Sequence, residues 1–160
     1  MNCIKIKAMR TLFLFLFFGI SINCFSQGAV EVSPQQTIEI FFDGFHKGDT
    51  TAMRSVMMPD MRMQSALTTG NGEYKVNTMI AKDFLVAIAK RPDNVVWKET
   101  IHEYVVKEDG NLANVWTPYS FSLNGELSHC GANSFTLVLT ETGWKINYII
   151  DSRRRNSCED

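Results

Sequence analysis

Asn-Leu-Ala-Asn-Val-Trp-Thr-Pro-Tyr-Ser-Phe-Ser-Leu (111–123) and Glu-Leu-Ser-His-Cys-Gly-Ala-Asn-Ser-Phe-Thr-Leu-Val-Leu (126–139) flank Asn124-Gly125. Trp-Lys-Ile-Asn-Tyr-Ile-Ile-Asp-Ser-Arg (144–153) follows after Glu141-Thr142-Gly143. Asn-Gly between apolar alternating runs predicts a tight hairpin, because both residues tolerate positive φ. Glu-Thr-Gly predicts a second turn, so three antiparallel strands run to the end of the chain. Such strands need a cover over their apolar face. The rest of the chain must supply it.

Upstream, Ser33-Pro34 opens a helix, with Ser as N-cap and Pro where no amide donor is missed. Ile38, Phe41, Phe42 and Phe45 form one stripe at helical spacing, and Gly48 is the natural left-handed stop. Asp49 or Thr50 caps a second, shorter helix, which Pro59-Asp60 should end. Met61 to Leu67 reads as a strand, 68–72 as a turn and Glu73 to Val76 as a returning strand. A third amphipathic helix starts near Thr78 and ends at Arg91. Val95 to Lys107 reads as one long strand, with Trp97, Ile101 and Val105 on alternate positions. Helices are thus confined to the first half and a meander fills the second. The class is α+β, one curved antiparallel sheet with the helices on its concave side.

The first 26 residues stand apart. Lys5, Lys7 and Arg10 precede an almost wholly apolar run from Thr11 to Ile22, and Cys24 and Ser26 are small residues at its end. That order predicts a secretory signal peptide cut after Ser26, leaving a single domain over 27–160. An uncleaved anchor and lipidation at Cys24 are the less favoured alternatives. The expected location is secreted or periplasmic. Without the leader the chain holds 13 Lys and Arg against 17 Asp and Glu, a formal charge of −4. No basic field remains to hold nucleic acid.

Two cysteines remain after the leader, Cys130 and Cys158. In an exported chain they suggest one disulfide, pinning the polar tail to the sheet. There is no Cys-x-x-Cys, no zinc-ligand spacing among the three histidines, no Gly-rich phosphate loop and no Gly-x-Ser-x-Gly elbow. Neither a metal nor a cofactor is expected.

The element order resembles the nuclear transport factor 2-like superfamily, the cone-shaped α+β barrels (cystatin-like folds) that include SnoaL-like cyclases and ketosteroid isomerases. Three stretches carry the resemblance: Phe41 to Asp49, Met57-Met58-Pro59-Asp60, and Ala113-Asn114-Val115-Trp116 through Gly143-Trp144-Lys145-Ile146 to Asp151-Ser152-Arg153. Ser128-His129-Cys130-Gly131 is most similar to a small exported branch labelled as lumazine-binding. The resemblance implies a pocket between the sheet and the first and third helices.

Apolar matching on the last hairpin pairs Leu139 with Trp144, Leu137 with Ile146, Phe135 with Tyr148 and Asn133 with Ile150. His129 then shares the face of Phe135, while Cys130, Asp151 and Arg153 take the opposite face. A strict Asn-Gly turn pairs Phe121 with Ser128 and a looser one with His129, so Tyr119 could face either way. Pro118 suggests an edge or a bulge. Trp116, Tyr119, His129, Asn133, Phe135 and Tyr148 are the ligand-lining candidates. His129 and Asp151 are the catalytic candidates, weighed against a structural histidine and a surface acid.

The first functional reading is a small-molecule-binding protein with an apolar or aromatic ligand. The alternatives are an isomerase-, dehydratase- or cyclase-type enzyme and a structural, envelope-associated homodimer.

Overall fold

The structure is a computed structural model that describes residues 32–158. The expected leader, residues 1–26, and its cleavage point lie outside the described residues.

Helix α1 spans Pro34–Lys47. The Ser33 hydroxyl accepts from the Gln36 amide, and Gln36 returns the bond to the Ser33 amide, a capping box that closes two free donors. Gly48 ends the helix at φ 74°. The Asp49 carboxylate caps α2, Thr50–Ser55. The apolar stripe of α1 is buried against the sheet: Ile38, Phe41, Phe42 and Phe45 are all enclosed.

Seven strands follow in one sheet: β1 Met57–Thr68, β2 Tyr74–Ile80, β3 Trp97–Ile101, β4 Val105–Asp109, β5 Leu112–Leu123, β6 Glu126–Thr140 and β7 Gly143–Arg154. Helix α3, Ala81–Ala89, sits between β2 and β3 in the chain. The sheet order is β2-β1-β7-β6-β5-β3, with β4 also paired to β5. The α+β class and the curved sheet agree with the sequence.

Several local expectations change. Pro59-Asp60 does not stop α2, which ends at Ser55; it lies inside β1. The ladder between β1 and β7 skips from Met57 to Arg62, so the missing proline donor falls where no partner needs it. β2 runs on to Ile80, and α3 starts three residues later than expected. The long strand is two strands, β3 and β4, broken at 102–104. Pro118 sits opposite that break: β3 pairs β5 as far as Tyr119, and β4 resumes at Trp116. Pro118 is therefore interior to β5 yet meets a loop, whose His102 amide donates to its carbonyl.

The sheet is also not wholly antiparallel, because β1 and β7 run parallel. The meander brings β7 beside β1, two strands separated by the whole domain. Only the tertiary arrangement could pair them.

Candidate functional site

Asn124 and Gly125 hold φ of 52° and 86° in a two-residue turn, with Leu123 opposite Glu126. Ser128 is then an extra residue on β6, because Ser122 pairs with Leu127 and Phe121 with His129. The turn is tight and the bulge supplies the offset. Tyr119 is thereby fixed on the inner face, with Phe121, His129, Asn133 and Phe135.

A second bulge decides the site. Leu137 pairs with Ile146, as expected, but Thr136 pairs with Tyr148, leaving Asn147 as the extra residue. The phase of β7 flips there. Phe135 thus pairs with Ile149 and Asn133 with Asp151, not with Tyr148 and Ile150. Asp151 and Arg153 turn inward, contrary to the expected register. Tyr148 turns outward, where its hydroxyl donates to Gln64 Oε1. Trp116 is also on the outer face, 47% exposed. Neither lines the cavity.

The cavity between the sheet, α1 and α3 has a volume of about 480 Å³. Its walls are aromatic: Phe41 and Phe45 from α1, Phe84 from α3, Trp97, Phe121 and Phe135 from the sheet. Phe45 stacks on Phe84 and Trp97 with ring centroids 6.0 and 6.1 Å apart. Arg91 lies over the Trp97 ring and donates to the Phe45 and His46 carbonyls, tying the end of α3 to the end of α1.

At the inner end, polar groups from five strands, β1, β3, β5, β6 and β7, meet. Asp151 accepts from Ser65 Oγ at Oδ1, and from Tyr119 Oη at 2.9 Å and Arg153 Nε at 3.2 Å at Oδ2. Asn133 Nδ2 donates to Glu99 Oε1 at 2.8 Å and to Thr117 Oγ1 at 3.2 Å. Glu99 Oε2 has no hydrogen-bond partner among the described residues. The Glu99 backbone amide donates to His46 Nε2 at 3.0 Å, which fixes that ring as the Nδ1–H tautomer.

Gly131 makes the Tyr119–Asp151 bond reachable. Tyr119 is on β5 and Asp151 on β7, with β6 between them. A Cβ at Gly131 would lie 1.8 Å from the Ser152 carbonyl oxygen and 3.1 Å from Tyr119 Cε1. The bare backbone lets the tyrosine ring cross the strand.

These surroundings move the titrations. Burial pushes Glu99 up to about 7; the Asn133 bond opposes this and the Asp151 charge adds to it. Burial and then Arg153 push His129 down to about 4, so the ring is neutral at physiological pH. Burial, Asp151 and Glu99 all raise Tyr119, which stays a hydrogen-bond donor. His129 stacks on Phe121 at 4.8 Å and bonds only to Ser128 Oγ. Among the described residues no group of three or more His, Cys, Asp or Glu is placed to hold a metal ion.

Glu99 is not among the candidates expected from the sequence, although one signal points to it. Trp97, Glu99 and Ile101 share one strand phase, so the acid stands among apolar inward positions.

No protein-family model and no curated protein matches the chain. Solved structures do, at low identity. A nuclear transport factor 2-like protein from Cytophaga hutchinsonii superposes with a TM-score of 0.60 at 10% identity, covering 75% of this chain and 94% of that one. A cystatin-like protein of unknown function from Nostoc punctiforme gives 0.57 at 8% identity, covering 76% and 89%. A nuclear transport factor 2-like family protein from Streptomyces avermitilis, provisionally called a dehydratase, gives 0.56 at 15% identity, covering 75% and 92%. Seven curved strands, helices across the inner face and these superpositions make this chain a protein of the nuclear transport factor 2-like fold.

Proposed function

We propose that the protein binds a small, largely apolar or aromatic molecule in this cavity. The observation that carries the reading is the pairing of aromatic walls with a polar inner end at which Glu99, a carboxyl with an open oxygen, lines the ligand space. A few convergent polar groups in an apolar pocket orient a ligand. The neutral dye N-phenyl-1-naphthylamine should brighten on binding. Ala87 on α3 lines the cavity, so Ala87→Trp should abolish that signal without altering the circular dichroism. Equal brightening in both proteins would place the dye elsewhere and remove the reading.

Proton transfer on the bound molecule is a second reading, and Glu99 carries it. His129 is held neutral far into acid, and both oxygens of Asp151 are already taken by donors. Glu99 titrates close to neutrality beside the ligand space, where a carboxyl both gives and takes a proton. A cyclic enone probe in D₂O should exchange its α protons faster with the protein than without it. Exchange that persists in Glu99→Gln would exclude this residue.

We further propose export, with residues 1–26 removed and Cys130 joined to Cys158. The two Cα atoms are 5.6 Å apart, which supports the bridge. Non-reducing peptide mapping of protein recovered outside the cytoplasm should find a chain starting at Gln27 with that crosslink. Recovery of Met1, or of two alkylatable thiols, would defeat the respective half.

A further inference from the structure

The inner end of the cavity is uneven in its partners. Asp151 has three donors: Ser65, Tyr119 and Arg153. Arg153 is spent on Asp151 and Ser65. Glu99 has one neutral donor, Asn133, and an open oxygen. The groups facing it from each packed element are Asp151 and Arg153 on β7, Tyr119 on β5, His129 on β6, His46 on α1 and Tyr104 in the 102–104 loop, whose hydroxyl burial keeps protonated. Tyr119 and the two histidines are neutral at pH 7. Asp151 and Arg153 cancel. Ionised Glu99 therefore leaves one uncompensated negative charge at the end of an aromatic cavity.

We propose that the cavity takes an organic cation, an ammonium group on an apolar or aromatic body, seated against Glu99 Oε2 with ring faces of the wall around it. This rests on the ligand-binding reading above and names the ligand class. Two features of the geometry favour a cation over a neutral carbonyl compound. A cation supplies the partner that ionised Glu99 lacks, whereas a carbonyl group only accepts a bond from the protonated form. Aromatic faces attract cations and give neutral acceptors nothing comparable.

The two ligand classes predict opposite pH dependence, which decides between them. Binding a cation requires Glu99 ionised, and Glu99 titrates at about 7 in the free protein. Affinity should therefore rise about tenfold from pH 6 to pH 8 by proton linkage. The probe is benzyltrimethylammonium, which carries a permanent charge and does not titrate itself. Its neutral carbon isostere, neopentylbenzene, is the control. Titration is followed by tryptophan fluorescence, since Trp97 lines the cavity.

The expected result is tighter cation binding at pH 8, no pH dependence for the isostere, and a flat profile in Glu99→Gln. Should that variant fold poorly, calorimetry on the unaltered protein serves instead. At pH 7, in two buffers of different ionisation enthalpy, cation binding should release about half a proton. Tighter binding at pH 6, a flat profile in the unaltered protein, or no proton release overturns the proposal. If the isostere binds and the cation does not, the cation class falls and the cavity reading stands. If neither probe nor the neutral dye binds, both fall.

Discussion

Gly131→Ala should cost about 4 kcal/mol of stability or more, although alanine is normally the mildest of substitutions. The added methyl would sit 1.8 Å from the Ser152 carbonyl oxygen and 2.8 Å from its carbon. These are backbone atoms of the paired strand, so no side-chain rotation relieves the overlap. β6 and β7 must separate at Gly131–Arg153, and the Tyr119–Asp151 bond crosses that point. Gly70→Ala is the internal comparison: nothing lies within 4 Å of its Cβ position, and a surface change of this kind stays within about 0.5 kcal/mol. Urea unfolding of the two variants against the parent measures the contrast. A loss below about 1 kcal/mol at Gly131 would mean that the strands are not this close.

Glu99→Gln should stabilise the protein, and only above mildly acidic pH. The folded-state carboxyl titrates at about 7, raised from 4.5. A raised carboxyl contributes stability that is fully present below its unfolded value and is lost as pH rises through the folded value. That single group should cost about 3 kcal/mol between pH 4.5 and pH 7.5, at 1.36 kcal/mol per unit. Glutamine keeps an acceptor for Asn133 and carries no charge. The variant should match the parent at pH 4.5 and exceed it by up to about 3 kcal/mol at pH 8. His46 and His129 are both lowered by burial, so they remove stability as pH falls below 6.5. They titrate in both chains and cancel in the difference. Parallel stability curves for the two proteins across this range would show that Glu99 is not buried in its protonated form. A gain in stability at the expense of ligand affinity is the pattern expected when a costly group serves a site.

The Glu99 charge and the Gly131 approach belong to one arrangement. Five strands bring their polar residues to the cavity's inner end, and a buried core away from the cavity lining includes Ile38 of α1 with Val115, Leu137 and Ile146. The fold can hold a carboxyl with no cationic partner because that core does not depend on it.

Much of the fold was readable from local chemistry. The Ser33 cap, the Phe stripe of α1, the Gly48 stop and the Asn124-Gly125 turn each act within a few residues, and each is where the sequence placed it. Leu139–Trp144 and Leu137–Ile146 were readable too, because apolar positions match outward from a known turn. Beyond Ile146 the matching failed at one residue. Asn147 is inserted into β7, and every later side chain changes face, which brings Asp151 and Arg153 inside and turns Tyr148 out. Period-two reasoning has no means to see such an insertion, since either phase satisfies the backbone ladder locally. Pro59 departs from the expected helix stop for a related reason. A proline is forbidden only where a ladder bond is due, and whether one is due depends on the neighbouring strand. Caps, turns and apolar periods follow from the sequence alone because they are satisfied by the chain's own nearest residues. The parallel β1–β7 pair, the bulge phases and the meeting of Glu99 with Asn133 follow only from the closed sheet, because their partners lie up to 89 residues away along the chain.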